Sequence, residues 1–356
     1  MLVSSEISTP THEKVVHFTD SESGLNCIIA IHNTKRGPAL GGTRFWTYGS
    51  EEDHLKDVLA LSEAMTYKNA AAELPYGGGK AVINLKGVEK TEALLKSYAE
   101  AVNYMNGKYI TAEDVGCKPG DLETIAKYTD YCPKESLLRK TAVSSSPATA
   151  FGVYIGMSAA IELHDLHGDE TFKDCSVLVQ GLGGVGMPLT AMLLNSGAEV
   201  FVADINADRV EAFRKVYPDA KPLNVDTMFE DFARSYKGQI RVFSPCALGG
   251  VINKDNVAII GELFDIICGG ANNPADKDVV SKIGEEGSLF CPDFIVNAGG
   301  VISIHHDIIG TDRAKGGFIT KIIPDLYKIH ARILEILRFN QLDPMKAAIE
   351  YAKKRI

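Results

Sequence analysis

The sequence contains no basic block. Its net charge is −9, and an acidic chain of this kind argues against nucleic acid or an anionic membrane as a partner. No apolar run is long enough to span a bilayer. The opening residues Met1-Leu2-Val3-Ser4-Ser5-Glu6 lack the basic region and apolar core of a secretory leader, so a cytoplasmic protein is expected. No Cys-x-x-Cys occurs; the seven cysteines are scattered and odd in number, which fits reduced thiols and argues against a disulfide frame or a zinc site. Nine histidines are scattered too. Their one adjacent pair, His305-His306, would point different ways on a helix, so no metal is expected. Repeats and low-complexity tracts are absent. What remains is ordinary globular composition, 45% hydrophobic and 23% charged, over 356 residues, a length that favours two domains.

The most informative stretch runs from Lys68 to Lys80, Lys-Asn-Ala-Ala-Ala-Glu-Leu-Pro-Tyr-Gly-Gly-Gly-Lys. Two lysines bracket a turn that ends in three glycines. Such a run suits close approach of backbone to a ligand, or a positive φ. Ala81-Val82-Ile83-Asn84-Leu85 then reads as a buried strand, which puts Lys80 at a glycine-lined strand end, partly out of water. Burial eases loss of an ammonium proton. Lys68 closes a helix that starts at Ser50-Glu51-Glu52-Asp53 and carries Leu55, Val58, Leu59, Ser62 and Met65 at helical spacing. It lies at the edge of that stripe and could hold an anion. The alternative is a surface loop with two solvated lysines.

Elsewhere in the first half, Val15–Phe18 and Leu25–Ile31 read as strands, and Arg36–Arg44 as a glycine-rich turn. A helix from Thr91-Glu92 to about Asn106-Gly107 precedes a strand, Tyr109–Ala112. Glu113-Asp114-Val115-Gly116 follows at once. A carboxylate just past a strand's carboxyl end is where α/β proteins place functional groups, although Asp114 taken alone reads rather as a loop or cap aspartate. Residues 118–128 read as a helix and 130–146 as irregular, which places the domain boundary there.

In the second half, the strand Cys175–Gln180 runs directly into Gly181-Leu182-Gly183-Gly184-Val185-Gly186, then a helix over about 184–196, then a strand, Glu199–Ala203, ending at Asp204. This is G-x-G-x-x-G in the context it requires. The glycines let a pyrophosphate reach backbone N–H groups at the helix N-terminus. Asp204, followed by Ile205, would bond the adenosine ribose and repel a 2′-phosphate, which favours NAD over NADP; Arg209 nearby tempers that preference. Three further turns follow apolar segments: 244–250 with Cys246 and Ala247, 269–273 with Asn272, and 296–301 with Asn297 and Val301. Together they suggest a ligand-lined crevice. The last third reads as helical over about 314–338 and 343–353.

These motifs, in this order, resemble the glutamate/leucine/phenylalanine/valine dehydrogenase superfamily, and most closely its leucine dehydrogenase branch. The resemblance is carried by Gly37–Arg44, Met65–Ala70, Gly77–Lys80, Thr111–Gly116, Gly181–Gly186, Pro245–Gly249, Ala271–Asn273 and Pro292–Gly300. It implies an α/β fold of two domains. Residues 1–145 would form the substrate and oligomerisation domain, with the C-terminal helix 331–356 packed back on it. Residues 146–330 would form a Rossmann dinucleotide-binding domain, with the cleft between the two. The implied reaction converts an L-amino acid, NAD⁺ and water to a 2-oxo acid, NADH and ammonium. By resemblance, Lys68 takes the family's place for holding the substrate carboxylate, Lys80 that of the catalytic lysine, and Asp114 that of the proton-shuttling aspartate. Lys80 and Asp114 are expected to have pKa values pushed toward the working pH. Thr149, Cys246, Ala247, Asn272 and Asn297 would join Gly181, Leu182, Gly183, Gly184, Val185, Gly186, Asp204 and Ile205 around the cofactor. Family members assemble as dimers to octamers, so a homo-oligomer is implied.

One position speaks to the substrate. Glutamate-specific family members carry a lysine before Gly-Gly in the segment where this chain has Leu40. A buried carboxylate without a partner is costly, so an apolar side chain is expected. Leu40, Gly41, Met65, Ala112, Val301 and Ile304 would line its pocket, and by resemblance Asn272 would reach the substrate as well as the cofactor. Tyr76, Thr141–Ser145 and Ser303–His306 depart from the family pattern, and Tyr76 with His305 supports an aromatic amino acid as the alternative substrate. A non-catalytic dinucleotide-binding homologue is the other alternative, and the retained Lys68, Lys80 and Asp114 argue against it.

Overall fold

The structure, a computed structural model, describes residues 1–133, 145–164, 172–276, 278–311, 317 and 320–356. The irregular stretch expected over 130–146 and the helix expected over 314–338 fall partly outside these residues, as does the departure at 141–144. The chain divides into two compact units. The first comprises Met1–Val143, Ile304–Arg313 and Ala352–Ile356, and the second Ser144–Ser303 and Ala314–Tyr351.

The first unit is built on six strands, β1 (Val3–Glu6), β2 (Lys14–Asp20), β3 (Leu25–Asn33), β4 (Ala39–Trp46), β5 (Gly77–Asn84) and β6 (Tyr109–Glu113), in the order β1-β2-β3-β5-β4-β6. β1, β2, β3 and β5 pair antiparallel, whereas β4 runs parallel to both β5 and β6. Helices α1 (Glu51–Ala71) and α2 (Glu92–Tyr104) belong to this unit, and α3 (Pro119–Ile125) follows β6. Ser50 caps α1 by accepting from Asp53 N at 3.1 Å, and Thr91 caps α2 through Leu94 N. The alternating apolar side chains of β3 and β5 divide between two cores: Ile29, Ala81 and Ile83 pack with Leu94 and Tyr98 of α2, and Ile28, Ala30 and Val82 pack with Val58 of α1.

Two expectations are corrected here. Both glycine-rich segments read as turns are strands: Gly77–Gly79 opens β5, and Gly41-Gly42 lies inside β4. None of these five has positive φ. They are needed for close packing: a Cβ on Gly77 would stand 1.8 Å from Asn33 O, and one on Gly41 would stand 1.8 Å from Gly79 O. The real turn comes earlier, at Glu73, with φ 59°. The buried stripe of α1 also differs from the expected one. It runs through His54, Val58, Ser62, Thr66 and Asn69, with Leu55, Leu59, Met65 and Lys68 half-buried beside it. Glycine strands present backbone to the helix, so polar side chains serve there: Asn69 Nδ2 donates to Leu40 O (3.1 Å) and Gly77 O (2.7 Å).

The second unit is a doubly wound sheet. Its strands β7 (Cys175–Gln180), β8 (Glu199–Ala203), β9 (Lys221–Pro222), β10 (Ile240–Pro245), β11 (Ile266–Ile267) and β12 (Leu289–Phe290) are all parallel, in the order β12-β11-β10-β7-β8-β9. The order reverses at β7, the point where such sheets bind ligands. Helix α4 (Ser146–His164) precedes β7 and α5 (Gly186–Asn195) follows it. Phe201, Phe232, Phe243 and Phe264 lead the core of this unit.

All seven cysteines are free thiols, five of them buried. No helix among the described residues is long and apolar enough to cross a membrane. Nor does any group of three or more His, Cys, Asp and Glu side chains among them suit a metal ion.

Candidate active site

In the first unit, β4, β5 and β6 bring their polar residues to one place. Lys80 is only 5% exposed, and its Nζ lies 2.9 Å from Asp114 Oδ2. Its aliphatic stem stands in a glycine-rich strand beside α1, so the ammonium is taken from water and given a carboxylate. Asp114 follows β6 immediately. Burial alone would push its carboxyl pKa up, but the charges of Lys80 and Arg44 outweigh that and hold it below the usual carboxylate range. This corrects the expectation of a carboxyl poised toward the working pH: two cations, not one, face it.

The second cation went unnoticed in the sequence. Arg44 Nε donates to Asp114 Oδ2 at 3.1 Å, and its Nη1 donates to both carboxylate oxygens of Asp57, at 3.2 and 3.0 Å. Asp57 also accepts from the Tyr48 hydroxyl. The available signal was strand alternation: Leu40, Gly42 and Arg44 share a face of β4.

The remaining first-unit candidates sit on the same framework. Leu40 is 1% exposed, and in the strand register it lies opposite Gly78 on one side and Ile110 on the other. Ala112 pairs with Gly42. Met65 Cγ lies 3.3 Å from where a Gly41 Cβ would stand. Lys68 occupies the last turn of α1, half-buried, and Ile304 is half-buried. Tyr76, just before the glycines, bonds His305 Nδ1 through its hydroxyl at 3.0 Å.

The second unit carries its own set. Gly181 takes φ +93°, which only glycine adopts readily, and a Cβ on Gly186 would stand 1.8 Å from Gly181 O. Around Gly183 there is open space where its side chain would be. Leu182 N donates to Asp204 Oδ2 at 2.7 Å, which ties the turn to the end of β8. Val185 packs where a Gly270 Cβ would lie, and Gly184 faces Ser146 at the start of α4. Asp204 is opposed by burial, but backbone N–H groups of Asn206 and Leu182 and the Arg209 guanidinium hold its pKa below the usual range. Arg209 Nη1 lies 3.0 Å from Asp204 Oδ2.

A cavity of about 380 Å³ runs from Gly181 and Gly183 past Asp204, Ile205 and Arg209 to Cys246, Ala247 and Leu248. Ile205 is 90% and Leu248 77% exposed, two apolar side chains at the rim of one cavity; Leu248 is a lining residue the sequence did not single out. Asn297 Nδ2 donates to Asn272 Oδ1 at 2.8 Å, while Asn297 Oδ1 is buried and accepts no hydrogen bond among the described residues. Thr149 bonds back to Ser145 O at 3.3 Å, and its hydroxyl lies 2.9 Å from where a Gly300 Cβ would stand; Val301 follows, 7% exposed. An open glycine turn at the sheet's switch point, an acid at the next strand end, apolar rim residues and an orphan amide acceptor fit a dinucleotide.

Comparison with known proteins agrees with this geometry. Residues 12–131 match the family described as Glu/Leu/Phe/Val dehydrogenase, dimerisation domain, and residues 143–312 match Glutamate/Leucine/Phenylalanine/Valine dehydrogenase. The chain is 37% identical to the leucine dehydrogenase of Geobacillus stearothermophilus over 355 residues, covering 98% of this chain and 92% of that one. It is 38% identical to the valine dehydrogenase of Streptomyces coelicolor over 351 residues, 97% of this chain and 92% of the other. The crystal structure of L-tryptophan dehydrogenase from Nostoc punctiforme superposes with a TM-score of 0.76 at 34% identity, covering 97% of this chain and 96% of that one.

Proposed function

The chain belongs to the glutamate/leucine/phenylalanine/valine dehydrogenase family, and from that premise we propose that it oxidatively deaminates an apolar L-amino acid with NAD. The products are the 2-oxo acid, NADH, ammonium and a proton. The observation that carries this reading is the contact of the buried Lys80 with the half-buried Asp114, 2.9 Å apart beside a glycine-rich strand.

In this reaction Lys68 pairs with the substrate carboxylate. Asp114 takes a proton from the substrate ammonium. The dinucleotide, when bound, supplies a hydride acceptor for the α-carbon. Lys80, in its neutral form, takes a proton from the water that adds to the imine, and Asp114 returns a proton to the departing nitrogen. Gly181–Gly186 would hold the pyrophosphate, Asp204 the ribose hydroxyls, and the orphan Oδ1 of Asn297 a carboxamide N–H. The preference for NAD is supported by the ionised Asp204, which repels a 2′-phosphate.

An apolar substrate is supported by Leu40, buried where a charged side chain would need a partner. A second reading, an aromatic amino acid, is favoured by the Tyr76–His305 contact and by 35% identity to the L-tryptophan dehydrogenase of Nostoc punctiforme. A homo-oligomer is supported by the match to a dimerisation domain. A panel of amino acids with NAD and with NADP, followed by absorbance of the reduced cofactor, tests all of this. The expected result is turnover of branched-chain substrates with NAD. No turnover on any amino acid would defeat the proposal, and a preference for tryptophan or phenylalanine would select the second reading. Leu40→Lys should depress activity on the best apolar substrate.

A further inference from the structure

We propose that Arg44 is a positioning residue for this reaction: it fixes the Asp114 carboxylate beside Lys80 and is itself fixed by Asp57 and Tyr48. The proposal rests on the amino-acid dehydrogenase reading above. Four elements meet here: Lys80 comes from β5, Arg44 from β4, Asp57 from α1, and Asp114 from the end of β6. Positive and negative groups alternate along the chain Lys80–Asp114–Arg44–Asp57, with the Tyr48 hydroxyl donating to the last of them.

The geometry suits an arginine and no other residue. One planar guanidinium reaches Asp114 with Nε and both oxygens of Asp57 with Nη1. A lysine is a single point charge on a flexible stem and cannot hold two carboxylates in fixed orientation. Lys80 and Arg44 both converge on Asp114 Oδ2. Among the described residues Oδ1 accepts no hydrogen bond, so Lys80 and Arg44 together leave that oxygen to a substrate amino group. The guanidinium side chain is 19% exposed, so the interaction is only partly screened. Asp57 in turn balances the arginine charge. Without it, Arg44 would bear more fully on Asp114.

Arg44 and Asp57 carry opposite charges, which makes the test one of sign. The acid limb of kcat/KM reports protonation of Asp114, which must be ionised to take the substrate proton. Removing a neighbouring cation moves that limb up, and removing a neighbouring anion moves it down. The full chain is assayed with its best amino acid and NAD. In Arg44→Met, kcat should fall by about 100-fold with KM within about threefold, as expected for a displaced reacting group. Its acid limb should rise by about 1 pH unit. Arg44→Lys should return the limb toward wild type, because charge is restored, while kcat stays low. Asp57→Asn should move the limb the other way, to lower pH.

An active wild type beside an Arg44→Met of unchanged kcat and limb would overturn the role of Arg44 alone. So would limbs that shift in the same direction in Arg44→Met and Asp57→Asn, since a merely structural defect has no sign. If Arg44→Met does not fold, Arg44→Lys and Asp57→Asn carry the same decision. A wild type inactive on every amino acid would instead defeat the functional reading itself.

Discussion

At the scale of single residues, the site is a balance between burial and charge. Asp114 is half-buried, which favours the neutral acid, yet two cations keep it ionised. Asp114→Asn removes the proton acceptor and should lower oxidative deamination by roughly 10²–10⁴-fold, and Lys80→Ala by a similar factor, in steady-state assays of folded protein. Wild-type turnover in either would remove the proposed mechanism. Local signals singled out Lys80, after three glycines and before an apolar run, but favoured a loop or cap aspartate at Asp114; the roles proposed for both came from the family resemblance. Arg44 was not legible in the sequence. Its partners Asp57 and Asp114 stand 13 and 70 positions away, and a bridge between three elements leaves no local spacing to find.

At the scale of elements, strands β7 and β8 with the glycine turn between them were readable from local signals: an apolar run, a G-x-G-x-x-G, a helix and an acid in sequence. Gly77–Gly79 and Gly41-Gly42 were misread as turns because their need for glycine is not local. It comes from neighbouring backbone, Asn33 O and Gly79 O, that only the folded sheet brings near. Gly77→Ala should therefore destabilise the protein by about 3 kcal/mol, as overpacking does, seen as a lower denaturant midpoint. The stripe of α1 was misjudged for the same reason. An apolar stripe was expected, but the helix faces glycine backbone and uses Asn69 to bond two carbonyls. Replacing Asn69 with leucine strands those carbonyls and should cost about 1–3 kcal/mol in chemical denaturation.

At the scale of the whole molecule, ionisation links the first unit to pH. His12, His32 and His54 all lie there, and burial first of all lowers each pKa below 6.5. A histidine depressed in the folded state binds fewer protons folded than unfolded between its folded pKa and 6.5. Stability is therefore fully present above that value and is lost as pH falls below it. Thermal melts between pH 7.5 and 5 (~0.5-unit steps suffice) should show a falling midpoint, and His12→Gln with His32→Gln should flatten the curve. Asp114 and Asp204, depressed below 3.8, contribute their own loss only in stronger acid.

The distribution of sulfur has a practical corollary. Cys27, Cys132, Cys175, Cys268 and Cys291 are sealed inside, and only Cys117 and Cys246 reach the surface in part. Burial pushes the Cys117 thiol up to about 12 and raises that of Cys246 as well, so even these two should label slowly. Cys246 lines the cavity proposed to hold the dinucleotide and should be shielded when that cofactor binds, whereas Cys117 should not. An alkylating probe thus becomes a stopwatch for this molecule: each further tagged sulfur, resolved by mass spectrometry, marks an excursion in which a particular stretch of the interior has come open.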